Sequence, residues 1–376
     1  MRPTLTPWTL FTLALVLTCC CPAFFSVSAM AQTRNDKQDL VIHAKDKQIV
    51  IDELQQAISK KYVFPEVALR MNAMLNRKLK DGAYDKIKGA NEFAKTLTTQ
   101  LQEESKDKHL QIQFESEAIP LGLAKGEPTP EEKIKMEAEE RHFMRTVNYG
   151  IEKVERLAGN VGYFELRGFG NPEIVGHAIA AAMTLLNASD ALIIDLRKNG
   201  GGSPQTVAML ASYFSDPEVH LNDIYNRSEN KTIQIWTTPY TAGPRYDKHK
   251  QVYILTSHRS FSAAEDFTYT LQNLKRSITV GEVTGGGAHP VEVQVLHPHF
   301  VARIPFGRSI NPITKTNWEG IGVKPDLPSK SEEALPLAYR KALENLLMKE
   351  THPGKKADLQ RALDKHLTEK NGNTKS

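Results

Sequence analysis

Residues 251–290, QVYILTSHRSFSAAEDFTYTLQNLKRSITVGEVTGGGAHP, leave few folds open. The apolar, β-branched run Val252 to Thr256 ends in small polar residues, and an apolar-periodic segment starts near Ala263. That order reads as strand, sharp turn, helix. Ser262 stands at the turn, where the amides of Ala263 and Ala264 open a helix N-terminus that suits an oxyanion. Two readings fit Ser262. It is a nucleophile on an elbow that lacks the GxSxG letters, or it is a helix N-cap, with Glu265 three residues on at capping-box spacing.

A second stretch repeats the pattern. ALIIDLRKNGGGSP, Ala191 to Pro204, reads as a buried strand to Leu196, then Gly200 to Gly202, then a helix from about Pro204. Glycines let backbone amides approach a ligand closely. A phosphate cradle is the rival reading, but GxxxxGK[ST] is absent. Strands continue to alternate with helices: Gly159 to Phe169 and Ser277 to Val280 read as strands, and Ile174 to Leu186 as an apolar helix. This argues an α/β domain with a buried sheet.

Ahead of it, apolar residues recur at helical spacing from Val50 to Leu101, which predicts three helices broken at Pro65 and at Asp81–Gly82. Leu110 to Phe114 then alternates as a strand, with Asp107, Lys108 and His109 at its mouth. Asn222 to Tyr246 reads as a hairpin, with Trp236 and Tyr240 either lining a pocket or packing. Glu332 to Met348 reads as an amphipathic helix before a Lys-rich tail expected to fray.

The first residues are of another kind. Arg2, an apolar run from Trp8 to Leu17 and an AxA site at Ala29 to Ala31 form a secretory signal peptide, with cleavage expected after Ala31. A lipoprotein anchor at Cys19 is the alternative. Cys19, Cys20 and Cys21 all lie in this leader, so the mature chain holds no disulfide, thiol nucleophile or thiolate metal site. The formal charge of +4, from 48 basic and 44 acidic residues, is too balanced to argue for nucleic acid or a membrane surface.

The serine turn, the DLRKNGGG loop and GEVTGGGAHP, in this order, resemble the tail-specific and tricorn-like serine peptidases, the C-terminal processing peptidase group. The likeness is greatest to the branch similar to interphotoreceptor retinoid-binding protein, and runs from about Val50 to Leu327. It implies a crotonase-like core of ββα units behind a small helical domain, with no PDZ module. The expected organisation is a signal peptide at 1–31, a helical domain at 45–114, a linker at 115–145, the α/β core at 146–330, and a C-terminal helix with flexible tail at 331–376.

Processing peptidases of this family place a lysine base in GKG, aligned with Gly286, Gly287 and Ala288; here Gly287 fills the lysine slot. A Ser/Lys dyad is thereby excluded, since glycine accepts no proton. The resemblance to the tricorn-like branch then implies His109 as base, with His289 as second choice, and Glu319 of TNWEGIGVKPD as the carboxylate of the charge network. The tricorn pattern has serine before its histidine, where this chain has Lys108. The implied oxyanion hole draws on Gly200 or Gly201 and on Ala263, and Phe169, Trp236 and Tyr240 are candidate substrate contacts. The expected activity is an exported, periplasmic or extracellular serine peptidase acting on peptides or proteins, without metal or organic cofactor. The alternative is a carrier of apolar small molecules on the same scaffold.

Overall fold

The computed structural model describes residues 39–119 and 129–373. The expected leader and its cysteines fall outside them. Three helices come first: α1 (Ala44–Lys61), α2 (Pro65–Lys80) and α3 (Ala90–Ser105). Pro65 opens α2, where a missing N–H costs nothing, and Lys106 closes α3 in the left-handed region at φ 61°. Their apolar stripes, including Ile51, Leu54, Met71, Leu75, Phe93 and Leu97, meet in one buried core. Strand β1 (Gln111–Phe114) follows, then helix α4 (Pro130–Thr146). Helix α4 is capped by Thr129, whose hydroxyl accepts from the Glu132 amide at 3.2 Å while the Glu132 carboxylate takes the Thr129 amide at 2.8 Å.

The larger body runs through β2 (Ile151–Leu157), β3 (Val161–Leu166), α5 (Pro172–Leu186), β4 (Ala191–Asp195), α6 (Pro204–Ala211), the hairpin β5 (His220–Asn226) and β6 (Lys231–Trp236), β7 (Gln251–Thr256), α7 (Ala263–Asn273) and β8 (Ile278–Gly281). It ends with β9 (Val291–His297), β10 (Phe300–Pro305), β11 (Gly307–Ile310), β12 (Leu327–Pro328), α8 (Ser331–Lys349) and α9 (Pro353–Asn373). Six strands form the central sheet in the order β12-β8-β7-β4-β3-β2, all parallel except the antiparallel pair β2 and β3. Leu192, Ile194, Val252 and Ile254 face helices α5 to α7, whereas Ile193, Tyr253 and Leu255 face α8 and α9. Burial on both faces is why these strands read as unbroken apolar runs. The helical region ahead of a mixed α/β core is the expected fold class.

Three boundaries differ from the sequence reading. β1 pairs antiparallel with β10, and Leu296, Phe300, Ala302 and Ile304 sit in the core built by α1 to α3. Residues 291–305 therefore leave the 146–330 body and complete the N-terminal one, because the apolar face of β1 needs a sheet partner. The 115–145 linker contains most of α4, whose Met144 is buried. Of the tail beyond Lys349, Pro353–Asn373 is helical: Leu359, Ala362 and Leu363 of α9 are buried against α8 and the sheet, and Gly159 leaves room for Leu343 and Leu359 to approach its backbone. No helix of the described residues is long and apolar enough to cross a membrane.

Candidate active site

The ends of β4 and β7 lie side by side, joined where the Leu196 amide donates to the Leu255 carbonyl at 3.0 Å. The polar cluster after β7 ties the two loops together: the Ser257 hydroxyl donates to the Arg197 carbonyl at 2.5 Å and that of Ser260 to the Leu196 carbonyl at 2.8 Å. The glycine loop and the serine turn thus emerge together at the carboxyl edge of the sheet, where ligands bind in open α/β sheets.

Ser262 has φ 55° and ψ −119°, a conformation that a non-glycine residue keeps only when its surroundings impose it. Glu265 supplies much of that imposition. Fully buried, its carboxylate accepts from the Ser262 amide at 2.9 Å, the Gly287 amide at 2.8 Å, the Gly286 amide at 2.6 Å and the Thr284 hydroxyl at 2.5 Å. Burial pushes its pKa up, against the pull of these four donors. One carboxylate therefore anchors both the turn and the segment after β8. Read from spacing alone, Glu265 is only a capping residue.

In the glycine loop, Gly201 has φ 107° and Gly202 φ 141°. A Cβ on Gly201 would stand 2.7 Å from the Ser262 Cβ, and one on Gly202 would collide with the Phe169 carbonyl. The Gly201 amide donates to the Asn199 side chain at 2.8 Å, which withdraws it from the expected oxyanion hole; among the described residues the amides of Gly200 and Ala263 have no acceptor. Phe169 is 1% exposed and packs on Phe267, so its ring is core rather than cleft wall. The turn at Phe169 instead clamps the glycine loop through its backbone, with its amide on the Gly201 carbonyl at 2.9 Å and its carbonyl on the Ser203 amide at 2.6 Å. Trp236 stacks on His220 at 4.5 Å and Tyr240 is exposed.

His109 is buried, and its Nδ1 has no hydrogen-bond partner among the described residues. Its ring lies against Phe261, the neighbour of Ser262, with centroids 4.5 Å apart. A Cβ on Gly287 would fall 2.6 Å from the His109 Cε1 and would collide with the Phe261 ring. The imidazole therefore occupies space that a side chain at 287 would need. Burial pulls its pKa down to about 4, so the ring is neutral at neutral pH. No hydrogen bond joins it to the Ser262 hydroxyl.

His289 is placed differently. Its Nδ1 is 2.7 Å from Asp107 Oδ2 and 3.6 Å from Glu319 Oε2, while Asp107 Oδ1 accepts from the His109 amide at 3.0 Å. Burial opposes the charge of both, but their mutual bond raises the His289 pKa and lowers that of Asp107. Glu319 Oε2 accepts from the Ala288 amide at 2.5 Å, its Oε1 is buried without a partner, and burial, with the Asp107 charge, pushes its pKa up to about 7. One ligand atom from each of Asp107, His289 and Glu319 falls within 4.8 Å of the others, so these three are the described residues that could hold a cation. Asp107 went unrecognised in the sequence; its one signal is adjacency to His109. Lys275, past the far end of α7, lies about 16 Å of helix from Ser262 and is no base for it.

A cavity of about 640 Å³ in the helical region is lined by Lys78, Glu92, Lys95, Glu103 and other polar residues, a poor match to an apolar ligand.

A serine turn and a glycine loop thus stand at adjacent strand ends of an α/β sheet, with imidazole and carboxylate groups brought in from other segments. The profile of "Peptidase family S41" matches residues 160–329, and that of the N-terminal domain of peptidase S41 in eukaryotic IRBP matches residues 37–148. The chain belongs to peptidase family S41. It is 31% identical over 100 residues to the tail-specific protease of Haemophilus influenzae, a match spanning 26% of this chain and 13% of that protease. Among solved structures it is similar to a lipoprotein from Streptococcus agalactiae (13% identity, TM-score 0.50, covering 80% of this chain and 96% of that one). A crystallised peptidase from Parabacteroides merdae is also similar (20% identity, TM-score 0.49, 76% and 90% covered).

Proposed function

We propose that the protein is an exported serine-type peptidase. The observation that carries this reading is the placement of a neutral, buried imidazole, His109, beside the strained serine turn, in space that a side chain at Gly287 would otherwise fill. Ser262 attacks the scissile carbonyl and His109 accepts its proton; the tetrahedral oxyanion collects the unspent amides of Ala263 and Gly200. His109 then returns the proton to the departing amine as the C–N bond breaks; water, giving its proton to His109, next attacks the acyl carbonyl, and His109 passes that proton to the Ser262 oxygen as the C–O bond breaks and the acid leaves. Glu319 polarises the site from the His289 side. His289 is the weaker candidate for base, because its Nδ1 is already bound to Asp107.

Export rests on the leader pattern at Arg2 to Ala31, and peptide or protein substrates on family membership. Purified protein is expected to hydrolyse an unstructured peptide library and to form a covalent adduct with a fluorophosphonate, and Ser262→Ala to do neither while melting at the same temperature. Equal turnover by Ser262→Ala removes the proposal.

A further inference from the structure

Three consecutive residues ahead of β1 meet alternate residues of the segment after β8. Lys108 Nζ donates to the Gly285 carbonyl at 2.6 Å, the His109 ring lies over Gly287, and Asp107 holds His289 at 2.7 Å. Residue 107 meets 289, 108 meets 285 and 109 meets 287, so the tripeptide is tied to that segment at three points. Gly285 is itself fixed from the other direction, its amide donating to the Ser260 carbonyl at 2.9 Å. The contacts therefore close a circuit: Ser260 and Phe261 in the serine turn, Gly285, Lys108, His109, and back to the Phe261 ring at 4.5 Å.

The His109 ring has no hydrogen bond of its own at Nδ1, so no carboxylate orients it in the way a triad orients its base. Its place depends on what holds the two residues ahead of it. Asp107 does this from within by accepting the His109 amide. From these contacts we infer that Lys108 is the positioning residue on the outer side, setting the spacing between His109 and Ser262 across the joint between the helical region and the α/β core. The side chain is exposed, so this bond adds little to stability. Its effect is on geometry, to which proximity catalysis is sensitive: a displacement of about 1 Å costs on the order of 100-fold in rate.

The inference rests on the peptidase reading, and its test has one arm that does not. In Lys108→Met the rate of fluorophosphonate labelling at Ser262 is expected to fall roughly 10- to 100-fold, with kcat lowered, KM held and melting unchanged. Lys108→Arg, which can still donate to the Gly285 carbonyl, is expected to recover most of the rate. Independently of any activity, the His109 Cε1–H resonance is expected to shift or broaden in Lys108→Met and to return in Lys108→Arg. If the resonance responds to Lys108→Met although the probe leaves the wild-type protein unlabelled, the positioning role stands and the peptidase reading falls. A Lys108→Met protein with wild-type labelling and an unmoved resonance overturns the inference.

Discussion

His289 Nδ1 and Asp107 Oδ2 are 2.7 Å apart although 182 residues separate them in the chain, and both side chains are almost wholly buried. This pair joins the mouth of β1 to the segment after β8, and so fastens the helical region to the core. Removing one partner of a buried pair strands the other, at a cost of about 3–5 kcal/mol. Asp107→Ala is therefore expected to lose stability of that order in urea denaturation.

The pair also fixes a pH dependence. Asp107 has its pKa lowered, so its contribution is present above the unfolded value of 3.8 and fades as pH falls through the folded one. His289 has its pKa raised, so its contribution is complete below 6.5 and fades as pH rises through the folded value. Stability from this contact is therefore greatest between those two unfolded values. The urea-midpoint difference between wild type and Asp107→Ala, followed across pH, checks this.

Gly287 has an ordinary backbone angle, so its replacement tests contact rather than strain. Gly287→Ala forces a methyl group into the Phe261 ring and against His109 Cε1. Overpacking of this kind costs about 1–3 kcal/mol. The expected result is a modest drop in melting temperature with at least about a 10-fold loss of probe labelling, because the imidazole is what gives way. Unchanged labelling in a stable Gly287→Ala protein would separate His109 from the reaction.

The acid limb of kcat/KM reports when the base becomes protonated in the free protein. With His109 pulled down to about 4 by burial, that limb is expected near pH 4 rather than at the 6.5 of an ordinary histidine. Glu319, pushed up to about 7, adds an inflection near neutrality. Glu319→Gln is expected to abolish the neutral inflection and leave the acid one in place.

What could be read from the sequence was local. The strand, turn and helix around Ser262 and the glycine loop after β4 depend on consecutive residues, and their order identified the family. Contacts made at long range were not legible: no periodicity tells that β1 will pair with β10, that Asp107 will meet His289, or that Glu265 will hold Gly286 and Gly287 as well as the serine turn. Phe169 was misjudged for a related reason, since a strand-to-helix turn in sequence does not reveal which way its aromatic ring points. The glycine run likewise suggests Gly201 as an oxyanion donor, and nothing in its spacing shows that the Asn199 side chain takes that amide.

Mapping fluorophosphonate adducts by mass spectrometry in wild type and in His109→Gln shows whether the His109 imidazole makes Ser262 reactive. A single adduct on Ser262 is expected in wild type, with a labelling rate at least about 100-fold lower in a folded His109→Gln protein, the loss typical when a general base is removed; this imidazole dependence is what the serine peptidase reading requires. An adduct on Ser262 that forms equally fast without His109, or no adduct on Ser262 at all, would contradict it.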